Sequence, residues 1–145
     1  MDFKCEKIRI TDLCNVERAI SGKKYKAGSC YIKLSAVDEF VGQIFGDEEI
    51  GTRFVVFEPK EQINTDYLYI AITKSFPEFL RKYRTTINLQ FDALKHFTLY
   101  WHQSVEVQKY IIDAIRTVDN EITLVENQLI NTQMLKRWYL RKMMV

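Results

Sequence analysis

The sequence predicts an α+β protein: a small mixed α/β globular domain over residues 1–103, followed by a long C-terminal coiled-coil helix over residues 104–145. Three observations predict it. All five glycines lie in the first 103 residues, between short apolar runs. No Gly or Pro occurs from Ser104 to the end of the chain. In that same stretch the apolar residues recur at alternating intervals of four and three, the signature of a helix that pairs with another helix.

The strand-like runs come first, at residues 3–10, 29–34, 40–45 and 53–57, punctuated by Gly22, Gly28, Gly46, Gly51 and Pro59. Residues 64–83 then change register. Tyr67, Leu68, Ala71, Ile72, Phe76, Phe79 and Leu80 sit at helical spacing, with Asn64 or Thr65 as the N-cap. Pro77 is expected to break or kink this helix, because it lacks an N–H and its ring crowds the preceding turn. Residues 92–96 are read as one helical turn and 97–101 as a last strand. Ser104 is placed to cap the final helix, and Glu106 in its first turn suits the helix dipole. Its seam is Ile111, Ile115, Val118, Ile122, Val125 and Leu129, nearly all β-branched. About forty residues at roughly 1.5 Å each make a rod near 60 Å, longer than a domain of about one hundred residues is wide. Most of the rod is therefore expected to need another helix.

Composition narrows the function. A chain of 145 residues with 47% hydrophobic and 28% charged side chains has room for one core-bearing domain and is not of a disordered type. No apolar run is long enough to span a membrane, and the opening residues lack the apolar stretch of a signal peptide. Three cysteines, Cys5, Cys14 and Cys30, do not make a disulfide framework, so a reducing cytoplasm is the expected address. The first 103 residues carry fifteen Lys/Arg against fourteen Asp/Glu, and the remainder six against five. That balance lacks the excess of an avid stand-alone nucleic-acid binder; any DNA contact must come from basic residues sorted onto one face, or from a partner.

Basic groups offer the candidate contacts. Lys23, Lys24, Tyr25 and Lys26 lie on a loop bounded by Gly22 and Gly28; the lysines suit phosphates and the ring suits stacking. The same pattern also describes a solvated basic turn. Arg81, Lys82 and Arg84, beside Thr85 and Thr86, could meet base edges, or could simply complement a helix C-terminus. Arg53 is a third candidate. Asp47, Glu58 and Lys60 match an acidic–acidic–lysine nuclease pattern superficially, yet Pro59 would spoil a central strand there. Cys5, Cys14, Cys30, His96 and His102 lack the close spacings of a zinc site. No phosphate loop, dinucleotide turn or nucleophile elbow is present, so neither enzyme activity nor a cofactor is expected. Trp101 and Trp138 are read as packing residues near the ends of the helix.

The junction into the last helix carries a resemblance. Ser104, Gln108, Lys109 and Ile111 match the Ser-x-x-Glu-Gln-(basic)-x-Ile pattern with which helical regions begin in specificity subunits of type I restriction-modification systems. Val107 stands where that pattern has Glu, and the prolines of the preceding strand end are absent. Ile115, Val118, Asp119 and Ile122 resemble a second helical segment of the family, and Leu135-Lys136-Arg137 with the apolar close is also similar. Gly22, Tyr25 and Gly28 fill places in the family's opening loop, and Asn64, Tyr67 and Leu68 its helix start. The resemblance implies a half-length, non-catalytic subunit whose globular domain reads half of a bipartite DNA site. It further implies homodimerisation through antiparallel C-terminal helices, which also dock the methyltransferase subunits that hold the cofactor. A second expectation stands beside this one: an interaction-only relative that dimerises or docks without reading DNA.

Overall fold

The computed structural model describes residues 2–85 and 89–144. In chain order they form β1 (Cys5–Arg9), the single turn α1 (Ile10–Leu13), β2 (Cys14–Arg18), β3 (Lys24–Tyr25), β4 (Cys30–Lys33), β5 (Val41–Gln43), β6 (Glu48–Glu49), β7 (Phe54–Pro59), α2 (Thr65–Tyr83), a 3-10 helix (Phe91–His96), β8 (Thr98–His102) and α3 (Val105–Met143). The chain divides into two compact units, Met1–Lys109 and Tyr110–Val145.

In the first unit all the strand pairs are antiparallel, in three small sheets ordered β2-β7-β4-β5, β1-β8 and β3-β6. β7 is central in the largest, and its Val55, Val56 and Phe57 are all fully buried. A continuous apolar run rather than an alternating one is what a strand covered on both faces requires. Pro59 is tolerated because it is the last residue of β7, opposite Cys14 at the sheet's end. The four strands expected at 3–10, 29–34, 40–45 and 53–57 are β1, β4, β5 and β7.

α2 starts where Asn64 supplies its side-chain oxygen to the Tyr67 N–H at 3.0 Å, a standard N-cap. Its buried stripe includes Leu68, Ile72, Phe76, Phe79 and Leu80. The expected break at Pro77 is corrected: the helix runs through it to Tyr83. Pro77 has no N–H to give to the carbonyl of Thr73, a residue on the exposed side of the helix. The flanking Phe76 and Phe79, both buried, hold the helix together across the gap. Both rings meet Phe97, at centroid distances of 6.0 and 4.7 Å, and Phe57 of β7 meets Phe97 from the sheet at 6.1 Å.

Gly28 is demanded twice over. Its φ of +91° lies in the left-handed region, and a Cβ there would come within 2.5 Å of the Thr65 side chain at the start of α2.

α3 opens as its first residues dictate. The Ser104 hydroxyl accepts the Val107 N–H at 3.4 Å, Glu106 occupies the first turn, and Arg141 and Lys142 occupy the last. Val107, where the family pattern has Glu, is fully buried, so an apolar residue suits the position. Gln108 is also buried and donates from Nε2 to the His102 carbonyl at 2.6 Å, joining the end of β8 to the first turn of the helix. Along the rest of α3, Thr117, Thr123 and Thr132 donate to the carbonyls four residues back, at 2.9, 3.0 and 2.8 Å.

Gly42 of β5 faces Tyr31 of β4 across the ladder, and a Cβ there would collide with the tyrosine ring. That ring is held edge-on by Phe54 at 5.3 Å. Gly42→Ala is therefore expected to destabilise the fold by about 1–3 kcal/mol through overpacking. A thermal melt should show it as a drop of several degrees, and an unchanged midpoint would mean the ring yields freely.

Candidate nucleic-acid interface

Lys23, Tyr25, Lys24 and Lys26 do not form one exposed set. Tyr25 is 1% exposed, and its hydroxyl accepts the Ile20 N–H at 3.1 Å. The expectation that its ring stacks on a base is corrected: with Ile44, Val56 and Ala19 it makes a small core cluster. Burying the ring outweighs displaying it, because the phenol finds a backbone partner within the fold. Lys23 lies over the same ring, 5.1 Å from its centre, and is hydrogen-bonded to the Glu17 carboxylate, which raises its pKa. Much of its charge is thus locally answered. Lys24 and Lys26 are exposed.

The second set lies at the end of α2. Arg81, Lys82 and Arg84 are exposed, Arg84 being the C-cap residue. Lys82 lies 5.4 Å from the Tyr83 ring centre, and Tyr83 stacks on His96 at 5.6 Å with the planes 8° apart. Thr85 is described; Thr86, read with this cluster, lies outside the described residues.

Arg53 is brought together with residues that the sequence reading did not single out. Arg18 ends β2 opposite Val55, Lys33 ends β4 opposite Phe54, and Arg53 immediately precedes β7. These three cations therefore meet at one end of the four-stranded sheet. They line a surface cleft of about 370 Å³ with Leu34, Thr52, Leu89 and Gln90. The Arg18 guanidinium lies 5.3 Å from the centre of the Phe91 ring, a cation–π arrangement that restrains it.

The polar centre of the junction is Tyr67, whose hydroxyl meets His102 Nδ1 at 2.6 Å, while its ring packs edge-on against Trp101 at 4.9 Å. Burial raises the Tyr67 pKa above the ordinary tyrosine value, and a hydrogen bond at His102 opposes it. Among the described residues no three His, Cys, Asp or Glu side chains are grouped to hold a metal ion. Lys60, of the nuclease-like pattern, instead donates to the Thr11 carbonyl at 3.1 Å. No helix among the described residues is long and apolar enough to cross a membrane.

In the second unit the seam is exposed. Ile115, Val118, Ile122, Val125 and Leu129 range from 37% to 63% exposed, whereas Ile111 is half-buried and its neighbour Ile112 is buried. Val118, Glu121, Ile122, Val125 and Glu126 outline a shallow apolar groove of about 310 Å³. Trp138 is about half exposed and touches Tyr139 edge-on at 5.0 Å.

A family model for the type I restriction modification DNA specificity domain matches residues 40–132, from β5 into α3. The chain belongs to that family. Two solved structures share its architecture of a mixed α/β domain followed by a long helix. One is a chain from a type I restriction-modification system described for its complex assembly and conformational transition. It superposes with a TM-score of 0.72 at 12% identity over 91% of this chain and 42% of its own. The other is the S subunit of a type I restriction-modification system from M. genitalium, with a TM-score of 0.63 at 14% identity over 81% of this chain and 39% of its own. At such identities the likeness is one of fold. This specificity-family chain spans about two-fifths of the length of those two chains. No curated protein matches it.

Burial separates the cysteines. Loss of solvent pushes the Cys14 and Cys30 thiols up to about 12; the Lys60 charge pulls Cys14 back slightly, and Cys14 adds a little to Cys30. Cys5 is exposed. With a folded pKa above the ordinary 9.0, the two buried thiols contribute stability that is fully present below about pH 9 and is lost as pH climbs towards 12. At pH 8 a thiol reagent should titrate one cysteine in the native protein and three after denaturation. Rapid native reaction at all three would contradict the burial.

Proposed function

We propose that this chain is a non-catalytic DNA sequence-recognition subunit of a type I restriction-modification complex, dimerising through α3 to read a bipartite site. The observation that carries the reading is the exposed seam of Val118, Ile122, Val125 and Leu129 on a helix of a specificity-family chain. Apolar residues at heptad spacing gain by burial against another helix, roughly 1.5–3 kcal/mol for each side chain fully covered. Two copies would supply two globular domains, residues 1–103, and two helices, residues 104–145. Each domain precedes its helix in the chain, so antiparallel pairing would carry the two domains to opposite ends of the rod. A 39-residue helix is about 58 Å long, somewhat under two turns of DNA at about 34 Å each. The two half-sites would then flank an unread spacer. Methyltransferase subunits docked on the helices would hold the cofactor and perform the chemistry.

Ile122 lies midway along the seam, where a two-fold axis would place it near its symmetry mate. Ile122→Asp would put two unpaired carboxylates into an apolar interface, and each costs several kcal/mol there. Sedimentation should show dimers for the wild type at tens of micromolar and monomers for the variant, an affinity loss of about a hundredfold or more. A wild type that remains monomeric would assign the seam to a different chain. Dimers that retard no duplex, even with the methyltransferase present, would leave the interaction-only reading.

The isolated protein is expected neither to cut nor to methylate duplex DNA with magnesium and a methyl donor supplied. Cleavage that disappears in Glu58→Ala would overturn the non-catalytic assignment.

A further inference from the structure

We propose that the cleft at the end of the four-stranded sheet, lined by Arg18, Lys33 and Arg53, is where the phosphate backbone of DNA seats. This rests on the DNA-recognition reading above and locates its contact. The sequence separates the three residues widely, and the strand register unites them: β2 and β4 flank β7, with neighbouring strands about 4.8 Å apart.

Two features distinguish the cleft from the Gly22–Gly28 loop. Among the described residues no carboxylate lines it and no salt bridge engages Arg18, Lys33 or Arg53. On the loop, by contrast, Lys23 is already bonded to Glu17. Like charges gathered in a cleft repel one another and raise the local potential for an anion. The neutral members, Thr52 and Gln90, add a hydroxyl and an amide that can donate to phosphate oxygens. Arg18 is restrained against the Phe91 ring, so less freedom is lost when its guanidinium engages two phosphate oxygens at once. A chain with near-balanced total charge thereby presents a locally cationic cleft, the sorting that a weakly charged DNA binder needs.

The test is fluorescence anisotropy of the full chain on a random-sequence duplex over a salt series, with and without a methyltransferase subunit. Arg18→Gln, Lys33→Gln and Arg53→Gln are combined in one protein, and Lys23→Gln, Lys24→Gln and Lys26→Gln in another. The cleft variant should lose about tenfold or more in affinity for every sequence, and its salt slope should fall by about 0.9 for each contact removed. The loop variant should lose less on both measures. Wild-type binding with an unchanged slope in the cleft variant would overturn the cleft and leave DNA recognition standing. A wild type that binds no duplex in either condition would overturn both. Duplex RNA bound in preference to DNA would also overturn the assignment. If the triple variant fails to fold, the exposed Arg53→Glu decides alone: weakened binding supports the cleft and unchanged binding overturns it.

Discussion

β8 is held from three directions, and the globular unit depends on that. On one edge it pairs with β1 from Cys5 opposite His102 to Arg9 opposite Thr98. Phe97, which leads into it, is gripped by Phe76 and Phe79 of α2 and by Phe57 of β7. Pairing residues so distant in sequence closes a long loop, but closure entropy rises only slowly with length. Burial of Phe97, Leu99 and Trp101, none more than 4% exposed, offsets it. The end of β8 is then tied to the first turn of α3 through the Gln108 amide on the His102 carbonyl. A weakened β1–β8 pair would therefore disturb the sheet, α2 and the helix entry together.

Charge is distributed by the same scaffold. Basic residues that the sequence leaves scattered are brought to one end of the sheet once the strands are in register. Glu17 and Arg18, adjacent in β2, have opposite fates: the carboxylate answers Lys23, while the guanidinium joins Lys33 and Arg53. Alternation puts Glu17 and Arg18 on opposite faces, while Lys33, paired with Phe54, falls on the face of Glu17; the three cations share an end of the sheet, not a face. A near-neutral chain can in this way gather cations at one end of a sheet while Lys23 is answered by Glu17.

Much of the architecture was legible in the residues, for reasons that can be named. β7 is a run of buried β-branched and aromatic residues, α2 has a clean stripe with a capping Asn64, and α3 has a Ser104 cap and no breaker. β2 escaped notice because Cys14–Arg18 has only two apolar residues, Cys14 and Val16, and ends on two charged ones, too short an alternation to stand out, its order being imposed by β7. The two-residue strands β3 and β6 are too short to carry a period. At Pro77 the expected break did not occur, because intrinsic helix preference gave way to the aromatic packing around it. Among candidate contacts, Arg53 alone fell in the sheet-end cleft; Arg18 and Lys33 carry no local signal, since their meeting is a product of register. Tyr25 looked available beside three lysines, and nothing in the local sequence shows that its hydroxyl finds the Ile20 N–H.

The two tryptophans have an optical consequence. The chain holds two, Trp101 in the first unit and Trp138 in the second. Trp101 is 4% exposed against Tyr67, whereas Trp138 is 52% exposed on α3. An indole shielded from water emits at shorter wavelength than a hydrated one, so each unit carries its own colour of intrinsic fluorescence. The bluer emission reports the integrity of the β8 junction, and the redder one reports whatever comes to cover the far part of α3.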